Sequence, residues 1–132
     1  MYNLNTFIFL FLFLFLGLCI CRDASNNSNG GLSITVNPES NIELIVKGQV
    51  TANSNVNGIY ADLNSNANLE IKVESGATLN SCGNGRYDIY GDVSEGATVD
   101  FSGTGYACDQ DRVVFGGPGT GNVVRPTCQA CP

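Results

Sequence analysis

An aromatic residue and a carboxylate recur together in this sequence at a spacing of 30 residues. Tyr60 and Asp62 are repeated as Tyr90 and Asp92. Flat aromatic rings beside carboxylates suit sugar rings, because the aromatic faces supply apolar contact and the carboxylates accept hydrogen bonds. The commoner role of a tyrosine pair is to support a sheet. We therefore treat these four residues as a candidate site for weak glycan contact.

A glycoside-cleaving pair could be drawn from the same two carboxylates. Because a repeat places like residues together without any catalytic demand, Asp62 and Asp92 make a weak catalytic pair. The chain has no histidine, so the commonest general base and metal ligand is missing. We expect a non-catalytic protein without a cofactor. A small polysaccharide-active enzyme, or a fragment of one, is the alternative.

The N-terminal segment indicates export. Residues 7–21 carry no charge, and Arg22 and Asp23 follow them. A spanning helix needs about 20 apolar residues, so this segment fits the core of a signal peptide better than an anchor. We predict a signal peptide over residues 1–21, a polar leader over residues 22–31 and a secreted product without membrane attachment. Asn26 lies in the sequon Asn-Asn-Ser and is the predicted glycosylation site.

The tyrosine–carboxylate spacing belongs to an internal repeat. Each unit has two short strands of alternating polarity around a five-residue polar turn, followed by a loop rich in Asn or Gly. No helical period is sustained after the apolar segment. Three ungapped alignments define the units: residues 34–46 on 61–73, residues 59–71 on 89–101, and residues 82–89 on 108–115.

Stacking of these units as coils gives chemically uniform columns, with equivalent residues about 4.8 Å apart. Asn41, Asn68 and Thr98 would stack as a hydrogen-bonded ladder. The inward columns would be apolar throughout: Val36, Leu63 and Val93; Ile42, Leu69 and Val99; Leu44, Ile71 and Phe101.

The stacked columns resemble the architecture of right-handed parallel β-helix proteins, over residues 32–124. The resemblance implies an all-β fold, a short parallel solenoid of about three to four coils. A β-sandwich or jelly roll is the alternative. Larger proteins of this architecture include polysaccharide lyases, hydrolases and adhesins, and the present chain lacks the histidine and paired-Asp motifs of the pectin-degrading hydrolases.

Four cysteines follow the apolar segment, and their context favours structural disulfides. The third alignment makes Cys82 equivalent to Cys108, which predicts a bond between them across neighbouring coils. Cys128 and Cys131 would then close a small loop in the tail, residues 125–132.

An acidic column is predicted on the outer surface, where Glu43, Glu70 and Asp100 stack. Hard oxygen ligands of this kind suit calcium. Lys72 lies on the same face and softens the repulsion, so we predict a solvated acidic face and no metal site.

The net charge of −6 at pH 7 excludes an electrostatic footprint for nucleic acid or an anionic membrane. We expect a secreted, non-catalytic surface, matrix or adhesion domain whose partner is a glycan or an extracellular protein. Because a short solenoid exposes strand edges at both ends, end-to-end self-association is also expected.

Overall fold

The computed structural model describes residues 31–53 and 55–132 and is built of short strands. The predicted signal peptide, most of the polar leader and Asn26 lie outside the described residues. Twelve strands follow in chain order: β1 Leu32–Val36, β2 Asn41–Val46, β3 Gln49–Thr51, β4 Asn57–Leu63, β5 Asn68–Val73, β6 Thr78–Asn80, β7 Tyr87–Val93, β8 Thr98–Gly103, β9 Tyr106–Ala107, β10 Val113–Gly116, β11 Val123–Val124 and β12 Cys128–Gln129. Two single-turn 3-10 helices, Gln110–Arg112 and Thr120–Asn122, precede β10 and β11.

The strands form three sheets of four strands each, and every paired strand is parallel to its neighbour. The sheet orders are β1-β4-β7-β10, β2-β5-β8-β11 and β3-β6-β9-β12. Since each sheet takes every third strand, the chain winds as a β-solenoid of about three turns. The predicted parallel solenoid is confirmed, and the sandwich and jelly-roll alternatives are excluded.

The register agrees with the columns predicted for the first three coils. Leu44 pairs with Ile71, and Ile71 pairs with Phe101. Ile71 is fully buried at the centre of this column. The interior is therefore a stack of apolar side chains, which the alternation of each strand directs inward.

The turns between the first two strands of the first three coils share a left-handed residue at their third position. Glu39 has φ 59°, Asn66 has φ 56° and Gly96 has φ 72°. Glycine adopts this conformation freely and asparagine tolerates it, but glutamate is strained there. The repeat thus keeps one turn geometry while the residue at its strained position changes from coil to coil.

Side-chain hydrogen bonds link these turns along the solenoid. The Asn68 amide donates to the side-chain oxygen of Asn41 across 2.5 Å, and the Thr98 hydroxyl donates to the side-chain oxygen of Asn68 across 2.5 Å. Asn64 donates its side-chain amide to the backbone oxygen of Val36 at 3.0 Å. The predicted polar ladder is confirmed, and it joins the coils outside the apolar core.

The last coil departs from the predicted register. Ile89 pairs with Val113, an offset of 24 (113 − 89), whereas the sequence alignment placed Ile89 on Phe115. Asn80 pairs with Ala107, so Cys108 lies level with Ser81 and not with Cys82. The alignment was wrong there because it followed the two cysteines across loops of different length.

The predicted disulfide pairing is wrong for the same reason. Cys82 bonds to Cys131 and Cys108 bonds to Cys128, with Cα separations of 5.8 and 5.2 Å. All four cysteines are in structural disulfides as predicted, but both bonds tie the C-terminal tail to the last coils. The tail also adds β12, which pairs with β9.

Candidate functional site

Two tyrosines stack on the outer face of the first sheet. Tyr60 of β4 pairs in register with Tyr90 of β7, and their ring centroids lie 5.8 Å apart with an interplanar angle of 12°. Rings at this separation are offset, so part of each ring face lies outside the overlap. The structure therefore brings the two predicted tyrosines together as one aromatic surface.

A third tyrosine extends this surface. The ring of Tyr87 stacks on Tyr90 with centroids 5.2 Å apart and an interplanar angle of 18°. The guanidinium of Arg86 lies 5.2 Å from the centroid of Tyr87. We refer to Tyr60, Tyr87 and Tyr90 as the tyrosine platform.

Tyr87 was not among the sequence-predicted site residues. Strict alternation directs residues 87 and 90 to opposite faces of a strand, because they are three positions apart. In β7, however, Asp88 and Ile89 are both buried, and this break in alternation turns Tyr87 to the side of Tyr90. The same double-buried step occurs in β4 at Gly58 and Ile59, so the break in alternation is shared by equivalent strands of two coils.

A buried polar cluster of Ser81, Asn84 and Asp88 holds the break in place. The Ser81 hydroxyl donates to the backbone oxygen of Asp88, and the Asn84 amide donates to the Ser81 backbone oxygen at 2.7 Å. The Asp88 side chain is 1% exposed and accepts the backbone N–H of Asp109 at 2.8 Å. A buried carboxylate needs such partners.

Arg112 completes the cluster from outside. Its Nε atom lies 3.8 Å from the Asp88 carboxylate, and its terminal nitrogen donates to the backbone oxygen of Asn84. The charge of Asp88 is thereby compensated within the fold. The cluster supports the strand below Tyr87 and is not itself a free site.

The Asp88 carboxylate also lies close to two sulfurs. Potential ligand atoms of Cys82, Asp88 and Cys131 lie within 4.8 Å of one another. Because the two sulfurs are bonded to each other, neither is available as a thiolate ligand. This group is therefore a disulfide bond beside the ion pair of Asp88 and Arg112, and its sulfurs offer no metal ligand.

The two predicted carboxylates flank the platform. Asp62 and Asp92 pair in register, two residues beyond Tyr60 and Tyr90 on the same outward face. Asp62 is half-buried and Asp92 is exposed. We refer to them as the carboxylate pair. The next coil places Gly116 beside Asp92, so no side chain covers the pair from that side.

The carboxylates act on the platform electrostatically. Burial raises the pKa of the Tyr60 hydroxyl, and the negative charges of Asp62 and Asp92 raise that pKa further. Tyr60 is therefore a neutral hydrogen-bonding group at physiological pH. The combined surface offers aromatic faces, hydroxyls and two carboxylates. Together these groups can bind a ring that has one apolar face and polar edges.

A shallow groove of about 390 Å³ lies on the second sheet. Its amide and hydroxyl groups already bond to one another in the ladder of Asn41, Asn68 and Thr98. The predicted acidic column forms its rim, with Glu43, Glu70 and Asp100 in register. Ser102 donates to Glu70 at 3.2 Å.

Comparison with known proteins adds no relative. No family model matches the chain, and the searches of curated proteins and of solved structures found no match. Within the described residues, no helix has the length and apolar character needed to cross a membrane.

Proposed function

We propose that this protein is a secreted, non-catalytic β-solenoid that binds glycans at the tyrosine platform and serves as a surface, matrix or adhesion element. The observation that carries the proposal is the stack of Tyr60, Tyr90 and Tyr87 beside Asp62 and Asp92. Aromatic residues supply large contact area with little loss of conformational entropy, which suits a rigid binding face. The parallel strands beneath hold that face in place.

Export is supported by two features. The chain begins with a short uncharged apolar segment of signal-peptide type. Two disulfides link its C-terminal tail to the coils, and disulfides persist in oxidising compartments. Both features are expected of an extracellular protein.

A binding role is favoured over catalysis by the character of the site. The carboxylate pair lies on an open sheet face beside Gly116. Cleavage of a glycosidic bond needs two carboxyl groups held around the scissile bond, one as acid and the other as base or nucleophile, with water admitted as the second reactant. An open aromatic face instead provides reversible contact along a polymer.

The proposal is tested by titrating neutral and charged glycan oligomers into the purified protein and its Tyr60→Ala/Tyr90→Ala variant. We expect wild-type binding that weakens at least tenfold in the variant. Val124→Ala is the matched control, because Val124 is an exposed apolar side chain, 56% accessible, on the second sheet. Thermal melting of each variant checks that the coils remain folded.

A reducing-sugar assay on the same samples separates binding from cleavage. We expect no new reducing ends. Release of reducing ends that disappears with Asp62→Asn/Asp92→Asn would establish the alternative, a polysaccharide-active enzyme. The absence of binding to every glycan class would refute the proposed function.

A further inference from the structure

We infer that the tyrosine platform and the carboxylate pair select glycans with free amino groups, namely cationic glucosamine-type polymers, over neutral and acidic ones. This inference rests on the proposed function and specifies its ligand class. It follows from the charges around the platform, which leave two carboxylates uncompensated beside aromatic faces that are only partly covered by stacking.

The carboxylate pair has no cationic partner within the described part of the chain. The ion pairs described there join Lys47 to Glu74 and Arg112 to Asp88. Asp62 and Asp92 lie in register on adjacent strands, so their charges repel each other about one strand spacing apart. A ligand ammonium group would relieve this repulsion and form charge-assisted hydrogen bonds with both.

The aromatic faces of the platform also favour a positively charged ligand. Arg86 already occupies a cation site over Tyr87. Among residues 31–53 and 55–132, the cation–aromatic contacts are this one and that of Arg125 with Phe115, and neither involves Tyr60 or Tyr90. A cation above an aromatic face is attracted by the ring's negative quadrupole. The parts of the Tyr60 and Tyr90 faces that lie outside the ring overlap thus carry no cation of the protein and can take an ammonium group.

The negative charges of the carboxylate pair act on the Tyr60 ring. Besides burial, the charges of Asp62 and Asp92 raise the pKa of its hydroxyl, so their field covers the ring surface. That field attracts a cationic sugar and repels a uronate. The net charge of −6 acts in the same direction at long range.

A sugar is favoured over a lysine-bearing peptide by the shape of the site. The platform is a row of rings, with Tyr60 and Tyr90 on neighbouring coils and Tyr87 beside them. Successive rings match a ligand with successive flat apolar faces, as in a pyranose polymer. A peptide ammonium group needs a single ring and a single carboxylate.

The test is calorimetric titration of the full secreted chain with three tetramers that share a pyranose backbone: glucosamine, N-acetylglucosamine and galacturonate. We expect the glucosamine tetramer to bind about tenfold more tightly than its N-acetyl counterpart, since a cation–aromatic contact and exposed ion pairs together contribute about that factor. The preference should shrink as salt increases. The galacturonate tetramer should bind most weakly.

Two charge-matched variants isolate the local effect. Asp62→Asn/Asp92→Asn should lower the affinity ratio of the two glucosamine tetramers to the few-fold share that the cation–aromatic contact contributes, while N-acetylglucosamine binding persists. Glu43→Gln/Asp100→Asn removes the same charge from the second sheet and should leave the ratio unchanged. If both variants lose the preference equally, overall charge explains it and the inference fails.

The remaining outcomes separate the inference from the proposed function. Equal binding of the cationic and neutral tetramers overturns the inference and leaves the glycan role standing. No binding of any tetramer overturns the inference, and the glycan role then depends on the wider set of glycans titrated under the proposed function. A tetralysine peptide that binds as tightly as the glucosamine tetramer, and loses binding with Tyr60→Ala/Tyr90→Ala, would overturn the sugar assignment in favour of a basic protein partner.

Discussion

Gly58 packs against Ser81 so closely that the Ser81 hydroxyl fills the space a side chain at residue 58 would need. A Cβ atom there would also lie 2.7 Å from the backbone oxygen of Asp88. Residue 58 of β4 must therefore be a glycine, because any larger residue would leave no room for the buried polar cluster beneath the platform. The cluster in turn supports the break in alternation that turns Tyr87 outward.

Gly58→Ala should consequently destabilise the fold. Overpacking of this kind costs about 1–3 kcal/mol, and here the displaced atoms are hydrogen-bonded. Urea denaturation followed by circular dichroism measures the loss. Gly121→Ala is the control, because a Cβ at residue 121 meets no atom within 4 Å and should change stability little. Equal effects of the two changes would contradict the packing argument.

Glu39→Gly should stabilise the protein. Glu39 holds a left-handed φ of 59°, and a non-glycine residue in that region is strained by about 1–2 kcal/mol. Part of this gain is lost to the greater freedom of glycine in the unfolded chain, so we expect a net gain of about 0.5–1 kcal/mol. Glu95→Gly makes the same chemical change beside Gly96 of an equivalent turn, without strain to relieve, and should destabilise. A loss of stability with Glu39→Gly would show that the turn is not strained.

The disulfides should be recovered as Cys82–Cys131 and Cys108–Cys128 by peptide mapping of the non-reduced protein. Their sequence separations of 49 and 20 residues predict stabilisation by about 4 and about 3 kcal/mol through the unfolded chain. Cys82→Ser/Cys131→Ser should therefore lower the melting temperature more than Cys108→Ser/Cys128→Ser does. A bond between Cys82 and Cys108 would instead restore the register predicted from sequence.

Reduction should also change the assembly state. Both bonds hold the tail strand β12 against β9, and a freed strand edge can pair with another chain. We expect larger species by size-exclusion chromatography after reduction. A protein that stays monomeric, with its melting temperature unchanged, would show that the coils suffice alone.

Stability should fall in alkali because of Tyr106. Burial raises the pKa of its hydroxyl, and the charges of Asp100 and Glu70 raise it further. The folded protein thus retains a proton that the unfolded chain releases above about pH 10, so rising pH favours unfolding. The stabilisation is fully present below that pH and is lost as the pH approaches the raised pKa.

Tyr106→Phe tests this dependence. The variant loses hydrogen bonds to the backbone oxygens of Ile71 at 2.6 Å and Ser102 at 2.9 Å, and should be about 1–3 kcal/mol less stable at neutral pH. Its stability should nevertheless fall less steeply in alkali, with a residual slope from Tyr60. Denaturation midpoints across the alkaline range provide the measurement. Parallel curves for the two proteins would contradict a titrating Tyr106.

The sequence was sufficient for the register of the first three coils. Ungapped repeats with apolar residues at Leu44, Ile71 and Phe101 allow few arrangements other than stacking, and the polar ladder follows from the same alignment. Tyr60 and Tyr90 were placed together on that basis. These features depend on local periodicity, which the sequence shows directly.

The register of the last coil and the position of Tyr87 could not be predicted, because both depend on irregular segments. The loop before β10 is shorter than its predecessor, so matching Cys82 to Cys108 shifted the last coil by two residues. Tyr87 was missed because two consecutive buried residues interrupt the alternation of its strand. Both errors arise where tertiary contacts, and not the period of two, decide the direction of a side chain.

The most direct test of the account is a crystal structure of the protein with the glucosamine tetramer bound. We expect a sugar ring against the faces of Tyr60 and Tyr90, with an amino group within hydrogen-bonding distance of Asp62 or Asp92. A tetramer seated instead in the groove of Asn41, Asn68 and Thr98 would contradict the assignment of the tyrosine platform as the binding face.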